Sequence, residues 1–137
     1  MIQLRSLLAA LALLLLLPAG LAVAQQQVTC TKSVVYDAST SGSTELVAAV
    51  TSARVYICGY TILAAGTVNV KLIGGTGTAC ATGSVDLTPA YQLTTQTGAV
   101  DGSQIFRGLG PGPSQALCIN TSAGVAVQAL IYYNQIR

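Results

Sequence analysis

Gly66-Thr-Val-Asn-Val-Lys-Leu-Ile-Gly-Gly-Thr-Gly-Thr-Ala-Cys80 decides the fold. Val68, Val70 and Leu72 fall on one side of an extended chain, and Thr67, Asn69 and Lys71 fall on the other. A period of two belongs to a strand with one face in a core and one in water. A glycine-rich loop follows and carries Cys80. Immediately upstream, Arg54-Val-Tyr-Ile-Cys-Gly-Tyr-Thr-Ile-Leu63 has apolar side chains at both parities, as a second strand would if both its faces were covered. Together the two segments read as the central hairpin of a β-sandwich, with a cysteine on each side of it.

Short strands extend the pattern outward. Ser33–Asp37 and Ala116–Asn120 are strand candidates, and Val125–Asn134 is the longest, with Val125, Val127, Ala129, Ile131 and Tyr133 on one face. Thr44–Val50 fits a strand or one helical turn; with no capping box and strands on either side, strand is preferred. Pro89 interrupts Val85–Thr95, and proline cannot donate to a ladder, so this is an edge strand or two short strands with a kink. Gln104–Arg107 is a further strand candidate, and Gly108-Leu-Gly-Pro-Gly-Pro113 breaks regular structure. Many short strands with turn signals between them predict an all-β antiparallel β-sandwich, jelly-roll-like, in one domain over 25–137. Its expected core is Leu46, Val50, Val55, Ile57, Val68, Val70, Leu72, Ile105, Leu117, Ile119, Val125, Val127 and Ile131.

The first 24 residues have a different character. Arg5 precedes an unbroken Leu/Ala run over Leu7–Leu17, Pro18 and Gly20 end it, and Ala22-Val-Ala24 supplies the small residues of a cleavage site. This is the layout of a secretory signal peptide cleaved before Gln25. The run is short for a membrane span, which takes about 20 apolar residues, and no basic stop follows it. The expected location is therefore periplasmic or extracellular, with no membrane span after cleavage. An exported chain with four cysteines, Cys30, Cys58, Cys80 and Cys118, is expected to form two disulfides. Their wide spacing and the lack of histidine disfavour a zinc site, so no metal or other cofactor is expected. Spacing alone leaves the connectivity open. A jelly-roll order favours Cys80 with Cys118, and with it Cys30 with Cys58.

Lys32, Arg54, Lys71, Arg107 and Arg137 nearly balance Asp37, Glu45, Asp86 and Asp101 in the exported part, so no basic patch invites nucleic acid. Without histidine the commonest general base is missing, and no serine sits in a nucleophile elbow. Asp86 and Asp101 lie near turns, where single aspartates are usually structural. Gly74–Cys80 lacks the Lys-Ser/Thr ending of a phosphate loop and reads as a turn that delivers Cys80 to its partner. The composition thus points away from an enzyme, with a secreted hydrolase the weakest of the readings kept. Asn120-Thr-Ser122 is a glycosylation sequon or simply a polar turn.

Tyr56, Tyr60 and Ile62 share a parity on the strand that is apolar on both faces. Such a face needs a cover, from the N-terminal segment or from a neighbouring molecule. These three residues are therefore the expected contact surface, with self-association the leading partner and a surface protein or glycan the others.

Tyr-Asp-Ala-Ser-Thr at 36–40, Val-Tyr-Ile-Cys-Gly-Tyr at 55–60, Gly-Thr-Val-Asn-Val-Lys-Leu at 66–72, Gly-Thr-Gly-Thr-Ala-Cys-Ala-Thr-Gly at 75–83 and Ala-Leu-Cys-Ile at 116–119 resemble a group of small uncharacterised proteins of tailed bacteriophages, prophages and bacterial genomes. The resemblance covers nearly the whole exported chain. It implies a bacterial or phage-related setting and a role at a virion or cell surface, and it brings no activity or catalytic residues. Together these readings give a secreted structural, adhesive or assembly module, with a small lectin-like domain as the alternative. Intact-mass measurement of the released protein is expected to show Gln25 as its first residue; a species that retains Leu7–Leu17 would be an anchored protein instead.

Overall fold

The computed structural model describes residues 29–94, 98–101 (as backbone) and 110–137. The expected leader, Ile105 and the strand candidate at 104–107 lie outside them. Nine strands are found among the described residues: β1 Lys32–Ala38, β2 Gly42–Val47, β3 Arg54–Ala64, β4 Val68–Thr76, β5 Thr82–Asp86, β6 Tyr91–Leu93, β7 Gly98–Asp101, β8 Ala116–Thr121 and β9 Val127–Ile136. They form two antiparallel sheets, ordered β1-β9-β3-β7 and β2-β8-β4-β5, with β6 also on β4.

β5 and β6 lie end to end along one edge of β4, opposite Ile73–Thr76 and Val68–Val70 respectively. The kink at Pro89 separates them. Between them the Leu72 N–H would lose its ladder partner, and the buried Thr88 hydroxyl accepts from it at 3.0 Å. Counted as one broken strand, β5 and β6 leave a chain that crosses from sheet to sheet at every connection except the one from β4 to β5, which pair in the same sheet. This is a jelly roll, the predicted sandwich.

The expected hairpin of β3 with β4 does not form. β3 pairs with β9 and β7, whereas β4 pairs with β8, β5 and β6. The physical reason lies in their apolar rows. In a hairpin both rows would lie side by side on one face of one sheet and could not pack against each other across the core. With β3 and β4 in opposite sheets, Val55, Ile57, Tyr60 and Ile62 look across the sandwich toward the layer of Val68, Val70 and Leu72. Ala65–Thr67 makes the crossing, tied by the Ala65 N–H to the Ala126 carbonyl at 2.9 Å.

Val55, Ile57, Val68, Val70, Leu72, Leu117, Ile119, Val127 and Ile131 are buried as expected, while Leu46, Val50 and Val125 are only partly covered. A register shift between Glu45 and Val47 lets Val47 enter the core beside Leu46, which packs against it from the edge: the extra residue swaps the parity that points inward.

One end of the sandwich is closed by the Gly-Pro segment. Pro111 is fully buried, Gly110 packs against the Val55 carbonyl of β3, and a Cβ on Gly74 of β4 would lie 2.6 Å from the Pro111 Cβ. The Ser114 N–H binds the Ala53 carbonyl at 2.8 Å and holds the plug in place. Only glycine at 74 lets the proline seat between the sheets. Gly74→Ala is expected to lower stability by about 1–3 kcal/mol through overpacking, and Val35→Ala, on the exposed side of β1, by less than about 0.5 kcal/mol; urea unfolding of the oxidised protein reads both.

Candidate interaction surface

β3 carries the residues singled out from the sequence, and a bulge governs where they point. Ile57 lies opposite Tyr133 and Gly59 lies opposite Tyr132, so β3 holds one extra residue there. Before the bulge, Val55 and Ile57 face the core. After it, Tyr60, Ile62 and Ala64 do. Parity therefore reverses along the strand. Tyr60 and Ile62 are 1 % and 0 % exposed, so neither belongs to a contact surface, whereas Tyr56 is half-buried on the other side. The apparent doubling of apolar faces on this strand is one inward row split by an inserted residue.

The Tyr60 hydroxyl shares a hydrogen bond of 2.5 Å with that of Tyr91 on β6, and the two rings lie tilted at 6.2 Å between centroids. This joins the sheets at a point where a phenol would otherwise be buried without a partner. Tyr36 makes the contrast, since its buried hydroxyl has no partner among the described residues.

Both disulfides form, in the pairs favoured by the jelly-roll order. Cys30–Cys58 ties the start of the described chain to the outward side of β3 beside the bulge, where the Asn134 side chain also donates to the Thr29 carbonyl at 3.0 Å. Cys80–Cys118 is buried on the outer side of the second sheet. There Ile73, Ala116 and both cysteines form a small second core roofed by the turn at Thr78–Cys80. Gly75 lies beneath this roof: a Cβ on it would be 2.9 Å from the Cys80 Cβ. The glycines of the loop thus serve close packing, and Cys80 N–H and Ala81 N–H are spent on the turn's own carbonyls. The four thiols are consumed, and among the described residues no group of His, Cys, Asp or Glu is arranged to hold a metal ion.

The remaining polar candidates are surface features. Asp86 pairs with Lys71 at 2.7 Å across neighbouring strands, both partners being well solvated. Asp101 is described only as backbone, opposite Tyr60. The Asn120 amide donates to the Ser43 hydroxyl at 2.9 Å, so the sequon nitrogen is engaged within the sheet. An open groove of about 600 Å³ runs between β2 and the Thr78–Cys80 turn, lined by Ser43, Thr44, Glu45, Gly77, Thr78 and Ala79. It offers hydroxyls and one carboxylate, a set suited to hydrogen-bonding a polyol and without the paired carboxylates of a glycosidase.

Apart from Val85 of β5, the exposed large apolar side chains among the described residues lie elsewhere, on the first sheet. Val35 of β1 is 71 % exposed, Tyr132 of β9 49 % and Leu63 of β3 47 %. Leu130 is half-buried between Val35 and Thr61, its direct cross-strand neighbours. The sequence hides this patch because Val34 and Val35 are adjacent and alternation cannot tell which of them faces in. Comparison with family models, with characterised proteins and with solved structures finds no match.

Tyr60→Phe is expected to cost about 0.5–1.5 kcal/mol by deleting the hydrogen bond to Tyr91, whereas Tyr36→Phe should be neutral or stabilising because it removes an unsatisfied buried hydroxyl. Denaturant melts of the two variants beside the parent give the comparison.

Proposed function

We propose that the protein is an exported, non-enzymatic structural, adhesive or assembly module that works at a bacterial cell or phage-related particle surface. The observation that carries this reading is the distribution of side chains on the jelly roll. The interior is filled by apolar rows, and the exposed apolar residues Val35, Leu63 and Tyr132 gather on the outer face of one sheet. Exposed apolar groups clustered on one face favour contact with another macromolecule. Two disulfides, and the lack of any described helix long and apolar enough to cross a membrane, are compatible with an extracellular or periplasmic protein. The resemblance to phage- and prophage-associated proteins supports the same setting. The cysteines spent in disulfides and Asp86 engaged with Lys71 support a non-catalytic role.

A lectin-like activity is the second reading, favoured by the hydroxyl-lined groove at Ser43–Glu45 and Thr78. Labelling of intact cells or particles with a membrane-impermeant amine reagent tests the first reading. Lys32, exposed on β1, is expected to be modified without lysis; labelling only after lysis, with reduced cysteines, would contradict it. Glycan-array binding that is lost on Glu45→Ala would favour the second.

A further inference from the structure

We infer that the β1 edge of the first sheet is a docking edge for a second copy of this chain, joined strand to strand about a twofold axis at Val35. The inference rests on the assembly reading above and names its surface. β1 is the terminal strand of its sheet and pairs only with β9 among the described residues. An edge strand presents alternate unpaired N–H and C=O groups, and proteins blunt such edges with bulges, short strands or proline. The edges of the second sheet carry these devices. β2 has the register shift at Glu45–Val47, β5 faces a shift at Gly74–Thr76 and contains Gly83 at φ 60°, and β6 is only 3 residues long. β1 runs for 7 residues in unbroken register and contains no proline.

The chemistry of β1 selects the partner and its direction. Lys32 stands at one end and Asp37 at the other. A parallel copy in register would set Lys32 beside Lys32 and Asp37 beside Asp37, whereas an antiparallel copy keeps the like charges apart. A twofold axis perpendicular to the sheet keeps outer side chains with outer side chains, so the pairing must centre on a residue. Centred on Val35, it places Val35 against Val35 of the second copy and Ser33 beside Asp37. Val35 already lies directly opposite Leu130. The result is one continuous apolar row, Leu130, Val35, and the same two residues of the second copy in reverse order, across a doubled sheet. Main-chain hydrogen bonds supply the affinity, and the row fixes the register.

Sedimentation velocity on the oxidised protein over about 1–100 µM tests the inference, and Val35→Lys, which sets like charges face to face at the axis, is expected to weaken association at least about tenfold. Its far-UV spectrum should match the parent, and so should its melting temperature at concentrations where the parent is monomeric. Leu63→Lys, on the same sheet but away from the edge, and Val85→Lys, on the other sheet, should dimerise normally. Amide exchange on the unmodified protein provides a reading free of any substitution: protection of β1 is expected to rise with concentration. A parent that stays monomeric, exchange in β1 that ignores concentration, or a dimer lost on Leu63→Lys and kept on Val35→Lys would overturn the inference. None of these outcomes bears on surface display, which the labelling experiment reads separately.

Discussion

Each sheet of this molecule has one inner face, and the apolar rows of two sheets about 10 Å apart must fill the space between them. β3 is where that constraint is hardest to meet. It runs for 11 residues, supplies apolar side chains at both parities, and must also turn Cys58 outward to meet Cys30. The inserted residue between Ile57 and Gly59 resolves the conflict. It lets Val55 and Ile57, then Tyr60 and Ile62, all enter the core, while Tyr56 and Cys58 stay outside. The bond to Tyr91, the burial of Ile62 and the tether of the N-terminal segment all depend on that single change of parity.

Strands with clean alternation were legible from the sequence. Val68-Asn-Val-Lys-Leu72 folds as read, and so do the late strands carrying Leu117, Ile119, Val127 and Ile131. Alternation does not reveal which sheet a strand joins, and for this reason β3 and β4 looked like a hairpin. Nor does it reveal a bulge, because a bulge conserves composition and changes only phase. Alternation alone therefore puts Tyr60 and Ile62 on the outer side and gives no sign that Val47 is buried beside Leu46. Gly98-Ala-Val-Asp101 gave little signal of β7, because its place at the edge of β3 is set by tertiary pairing and not by its own hydrophobic pattern.

Stability and display are divided between the two sides of the sandwich. The outer side of the β2-β8-β4 sheet hides a second small core beneath the turn at Thr78–Cys80, where Cys80–Cys118 locks consecutive left-handed residues, Ala79 at φ 50° and Cys80 at φ 59°. Such backbone persists only where the surroundings over-determine it. Among the described residues, none forms such a roof over Val35, Leu63 and Tyr132 on the outer side of the β1-β9-β3 sheet. A jelly roll by itself hosts many roles. The functional reading rests on that asymmetry, with the open face and the unblunted β1 edge adjoining at Val35.

The bulge in β3 is the central claim, and nuclear Overhauser contacts from the Tyr60 ring in the oxidised protein test it most directly. The account predicts contacts from Tyr60 to the Tyr91 ring and to the Ile131 side chain beside it, and none to the Tyr56 ring. A Tyr60 ring that contacts Tyr56 along one outer face, with no contact to Tyr91, would contradict it.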